Sequence, residues 1–148
     1  MTLRIYEQTS PGVYSDFSID GDFSNPLTTT HDGKTGSTLE MKLYVGRASG
    51  STSSYERIQV KPVSLTSDND IDPTGPSQTG WGVKVMADPG HTPTETEWSE
   101  IDYGAAVDIA DISDDSKLPF WYRIESPAGI RAGNKKNIAL VVMFTEIP

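Results

Sequence analysis

The chain has 148 residues, 12 of them Lys or Arg and 21 Asp or Glu, for a formal charge of −9. The length fits one domain, 1–148, large enough to bury about two thirds of the surface its unfolded form exposes. The charge repels nucleic acid, the lack of cysteine removes disulfides, thiol nucleophiles and cysteine zinc sites, and no apolar run approaches the roughly 20 residues of a spanning helix. Neither nucleic acid nor a membrane is therefore an expected partner. The opening residues lack the apolar h-region of a secretion signal, and no N-x-[ST] sequon occurs, so the sequence reads as one made and folded in a cytoplasm. Its acidic residues read as scattered among turns.

In chain order, Leu3 and Ile5 alternate with Arg4 and Tyr6, and Val13, Phe17 and Ile19 resume after Ser10-Pro11-Gly12, which predicts two short strands and a turn. From Asp20 to Gly36 no apolar periodicity survives, which predicts one long loop. Thr38 to Val45 alternates cleanly, with Leu39, Met41, Leu43 and Val45 on one face. Arg47 to Ser54 reads as a hairpin tip into a strand from Tyr55 to Val63, with Ile58 and Val60 inward; Pro62 marks its end or an edge position. Ser67 to Gly80 reads as a second long loop. Trp81, Val83 and Val85 predict a half-buried strand, Thr92 to Ser99 at most one helical turn, and Ala105 to Ile112 a short strand.

The end of the chain is the most strongly patterned part. Phe120, Tyr122 and Ile124 alternate with Trp121, Arg123 and Glu125, and Ile138 to Phe144 is apolar at every position. With turn residues between them, these two runs predict a long hairpin, and the second predicts a strand covered on both faces. Eight to nine mostly antiparallel strands with long polar loops and no ten-residue amphipathic helix make an all-β sandwich or jelly roll. Its core is expected to join Phe120, Tyr122, Ile124, Leu140, Val142 and Phe144 to Leu39, Met41 and Leu43.

Chemistry-bearing residues are sparse. His31-Asp32 is the only adjacent pair resembling a base and its orienter, and His91 is the other histidine; Gly46 to Gly50 has no serine where a G-x-S-x-G elbow requires it, so no catalytic residue is assigned. Asp68, Asp70 and Asp72 resemble the first half of an EF-hand loop. Pro73 stands where glycine is needed and Thr79 where glutamate is needed, which leaves a calcium site of another geometry, pooled with Asp20, Asp22, Asp114 or Asp115, against the plainer reading of solvated turn aspartates. No other metal or cofactor is expected. Trp81, Trp98, Trp121 and the six tyrosines are candidates to floor a glycan site, Trp121 foremost because it is out of phase with the core side of its strand; packing against a loop or subunit is the competing reading.

Three stretches carry a resemblance: Asp32-Gly33-Lys34-Thr35-Gly36 running into Leu39 to Val45, the segment from Trp98 to Gly104, and Phe120 to Ile124 with Pro127-Ala128-Gly129, Ala132-Gly133 and Asn137 to Leu140. Together they resemble small β-sandwich structural proteins of tailed bacteriophages. That resemblance implies a virion component, a capsid decoration protein or a neck, tail or baseplate module, made in the host cytoplasm and partnered by copies of itself and by the major capsid or tail protein. It carries over no site residues. Val141 and Met143 lie on the opposite face of the last strand from Leu140 and Val142, so with Trp121 and Arg123 they are the interface candidates, and a homo-oligomer, a trimer if it decorates a capsid, is expected.

Overall fold

A computed structural model of the protein describes residues 3–18, 27–31, 38–64, 75–76, 81–126 and 133–148. Among the described residues nine strands and one short helix follow in chain order: β1 (Leu3–Ser10), β2 (Val13–Ser18), β3 (Leu27–His31), β4 (Thr38–Arg47), β5 (Ser54–Ser64), β6 (Gly82–Ala87), α1 (Glu95–Ser99), β7 (Val107–Ile109), β8 (Leu118–Glu125) and β9 (Gly133–Ile147). They form two sheets, β2-β1-β4-β8-β6 and β3-β9-β5-β7, in which every pairing is antiparallel. Counting β1 last and setting β6 aside, the first, eighth, third and sixth strands share one sheet and the second, seventh, fourth and fifth the other. That is a jelly-roll order begun one strand late, with β6 added beside β8.

One apolar cluster fills the space between the sheets. The five-stranded sheet contributes Leu3, Ile5, Leu43, Val45, Val83, Val85, Phe120, Tyr122 and Ile124, and the four-stranded sheet Tyr55, Ile58, Val60, Ile109, Leu140 and Val142, with Leu39, Met41 and Phe144 packed at its margin. Of the expected core, Leu43, Phe120, Tyr122, Ile124, Leu140 and Val142 are buried and Leu39, Met41 and Phe144 only partly so, period-two alternation having put all of them on inward faces.

Three expectations need correction. The last two strands are not a hairpin: β8 pairs with β4 and β6, and β9 with β3 and β5, so the chain arches from one sheet to the other. Each strand is central in its own sheet, which explains their apolar strength equally well. The stretch taken as one loop from Asp20 to Gly36 contains β3, whose threonines suit an edge pairing with β9 despite their polarity. And β6 is covered on both sides, Gly82 to Met86 being buried throughout, because a segment of the chain lies over its outer face. Pro62 pairs with Leu140 of β9, and on its other side β7 pairs only with Ile58 to Val60, so among the described residues no strand adjoins β5 there.

Candidate functional site on the two outer faces

On the outward side of the five-stranded sheet, register sets polar residues in rows. Glu40 on β4, Arg123 on β8 and Lys84 on β6 stand opposite one another, as do Lys42, Trp121 and Met86 in the next row. Two cations side by side in a sheet repel. The chain answers this with the segment after β6, which folds back over the sheet as a strap from Asp88 to Gly104. Thr94 caps α1 through a capping box with Glu97, fixing one helical turn where the sequence allows no more.

The strap is fastened by charge. Arg123, only 8% exposed, bonds Glu40 at 3.0 Å, Glu125 at 3.1 Å and, from the strap, Glu95 at 2.9 Å, with its guanidinium 5.7 Å from the Trp98 ring centroid. Lys84, equally buried, donates to the Trp98 carbonyl at 2.8 Å and lies 4.2 Å from the centre of the Tyr103 ring. Asp88 accepts from the Trp121 indole N–H at 3.1 Å and from the Gly90 N–H at 3.0 Å, and pairs with Lys42. Burial works against the Arg123 charge, but Glu95 and Glu125 outweigh it and hold its pKa above the ordinary value. Burial, and after it the adjoining Glu125 carboxylate, push the Tyr103 hydroxyl up to about 12. Gly82 is required beneath this ring, since a Cβ there would lie 2.7 Å from Tyr103 Cε1, 2.8 Å from Pro76 and 2.9 Å from Glu125.

Beside the strap the same face is aromatic. Tyr6 and Tyr44 are cross-strand partners, Tyr14 meets Tyr44 edge to face, and Lys117 reaches over both Tyr6 and Tyr14. Tyr6, Tyr14 and Lys117, with Arg47, Ala48, Ser49, Gly50 and Asp115, line a hollow of about 370 Å³. Arg47 is committed to Asp115 at 2.8 Å and to the Ser53 and Ser113 carbonyls.

The outward side of the four-stranded sheet is different. No described segment lies over it: Val141 is half-buried and Met143 is 39% exposed, opposite Lys61 and Gln59 respectively. Gln59 donates to Asp108 on β7 at 2.8 Å. At a bulge in β5, Arg57 takes a left-handed conformation, φ 54°, and with Ile58, Gln59, Asp108 and Ile109 lines a hollow of about 430 Å³.

The four interface candidates therefore fall on opposite sides of the sandwich, Trp121 and Arg123 on one, Val141 and Met143 on the other. Trp121 is half-buried beneath Asp88, and Arg123 is enclosed by carboxylates of its own chain. Trp81 belongs to the core, and Trp98, part of the strap, is buried with its ring near Arg123 of the sheet. His31 lies on β3, while Asp32 and the candidate calcium ligands Asp68, Asp70 and Asp72 lie outside the described residues, as do Asp20 and Asp22. His91 bonds Glu97 at 2.8 Å. Among the described residues no three His, Asp or Glu side chains gather as metal ligands. Sequence reasoning missed the strap and its fastening; the Thr94-x-x-Glu97 capping box was its one local signal. Comparison with protein-family models, with curated proteins and with solved structures finds no match to this chain.

Proposed function

We propose that this protein is a non-enzymatic structural component of a tailed-bacteriophage virion, a capsid decoration protein or a neck, tail or baseplate module, working in contact with copies of itself and with the major capsid or tail protein. The observation that carries this reading is the use to which the polar residues are put. Arg123, Lys84, Lys42 and Asp88, the best-formed charged cluster, all fasten the strap to its sheet. Part of one face is thereby covered by the chain itself, while no described segment lies over Val141 and Met143 on the other. A sandwich whose best-formed charged cluster serves its own fastening suits a part that works by repeated contact.

A second reading, a glycan- or receptor-binding module on the same kind of particle, is favoured by the tyrosine hollow. Tyr6 and Tyr14 form an aromatic wall, and Ser49, Asp115 and Lys117 offer hydrogen-bonding groups at its rim. Trp121 no longer leads that reading, since its indole is turned to Asp88.

Gradient-purified particles, probed for the chain, separate the two. Retention with the particles through high-salt washing is the result expected of a structural part. A glycan-array signal lost in Tyr14→Ala, from a chain that stays in the soluble fraction, would replace the first reading by the second.

A further inference from the structure

The charge of this chain is segregated. From Asp88 to Ser116 there are nine of its 21 carboxylates and none of its 12 Lys and Arg, which leaves 12 of each sign elsewhere and places the whole formal charge in one segment. Part of that segment is the strap over the five-stranded sheet, where Glu95 is 80% exposed and Glu100 and Asp102 are also exposed. The opposite face, on β5 and β9, presents two exposed cations. There Arg57 and Lys61 are both exposed, beside Val63, Val141 and Met143, and among the described residues neither has a carboxylate, carbonyl or ring partner. Of the carboxylates on that side, Asp108 already accepts from Gln59, and Glu56 stands opposite Thr145 beyond the bulge. The bulge holds Arg57 in a conformation that side chains of its kind rarely adopt.

We propose that copies of this chain associate head to tail, the outer face of β5 and β9 on one copy receiving the acidic strap of the next. Sign complementarity selects the occupant. Strap against strap would set Glu95, Glu100 and Asp102 against their own kind, and β5 against β5 would do the same to Arg57 and Lys61; only the crossed arrangement brings opposite charges together while covering Val141 and Met143. A contact between two different patches propagates from copy to copy and closes into a ring or runs on as an array. Its biological use rests on the structural-component reading, but the contact itself is measurable on the purified chain.

The test is sedimentation velocity at low salt on three proteins: wild type, R57E/K61E, and E100K/D102K. Wild type is expected to associate, and less so as salt is raised. Each double variant alone is expected to be monomeric, because each carries like charges on both faces, and a one-to-one mixture of the two is expected to associate again. A monomeric wild type, a double variant that associates as wild type does, or a mixture of folded variants that stays monomeric would each overturn the proposal. If circular dichroism shows R57E/K61E to be unfolded, K61E alone mixed with E100K carries the same comparison. Any of these failures leaves particle incorporation, measured separately, untouched.

Discussion

The Lys84 ammonium on β6 donates to the backbone carbonyl of Trp98 on α1 at 2.8 Å, so a charged side chain from the sheet closes the last turn of the strap above it. Removing the ammonium takes away the charged donor and leaves that carbonyl only the Ile101 N–H at 3.1 Å. Lys84→Met, which keeps the length of the stem over Tyr103, is expected to cost about 1–3 kcal/mol. Urea denaturation followed by tryptophan fluorescence measures it; a loss within the range of an ordinary surface substitution, about 0.5 kcal/mol, would mean that the strap is held by other contacts.

Arg123 carries more of the load because three carboxylates depend on it. Arg123→Ala leaves Glu40 and Glu125 close together and uncompensated, and a loss of about 3–5 kcal/mol is expected. Glu95→Gln removes only the exposed partner and is expected to be nearly neutral. Equal effects from the two substitutions, in the same denaturation experiment, would contradict the burial argument.

Acidification should loosen the strap before it unfolds the core. Asp88, Glu95 and Glu97 all sit below their ordinary values of 3.8, 4.5 and 4.5. Burial of Asp88 works the other way but is outweighed by the Gly90 N–H, the Trp121 indole and Lys42; Glu95 is held down by Arg123, and Glu97 by the Thr94 N–H and then His91. A depressed folded value means that the unfolded chain takes up protons first. The stabilisation is therefore complete above the ordinary carboxylate values and is lost as pH falls through the lower folded ones. Near-UV circular dichroism of wild type and Trp98→Phe across that range should show the Trp98 signal changing first; a transition centred near neutral pH would contradict it.

Arg57 stores strain at its bulge, since an L side chain in the left-handed region costs roughly 1–2 kcal/mol. Arg57→Gly relieves it but adds freedom to the unfolded chain, so stability should be unchanged or rise by up to about 1 kcal/mol. Arg57→Val, whose branched side chain tolerates that region least, should fall below wild type. Thermal denaturation of the pair decides: a glycine variant less stable than the valine variant would mean that the left-handed conformation is not what the bulge imposes.

Alternation made the sandwich readable. Leu43, Phe120, Tyr122, Ile124, Leu140 and Val142 could be assigned to a common core from sequence, because a half-buried strand exposes every second residue. Leu140→Ala accordingly carries the expected cost of about 2–5 kcal/mol. Partner choice was not readable in the same way. Nothing local distinguishes a β8 that turns back on β9 from one that sends the chain across to the other sheet, and β3 hid behind three threonines. The charged cluster was legible only in fragments: Arg123 joins residues 83 positions apart in Glu40 and 28 apart in Glu95, contacts that follow from sheet order. The acidic concentration from Asp88 to Ser116 was present in the sequence but gained meaning once the strap was seen to lie on one face and Lys61 on the other.

Quantitative mass spectrometry of purified virions from the genome that encodes this chain, calibrated with isotope-labelled peptides such as those spanning Trp121 and Val141, tests the structural reading most directly. A virion component is expected at a constant ratio to the major capsid or tail protein from one preparation to the next, unchanged by high-salt washing. A chain absent from the particles, or present only in traces that washing removes while the soluble fraction keeps the bulk, would contradict it.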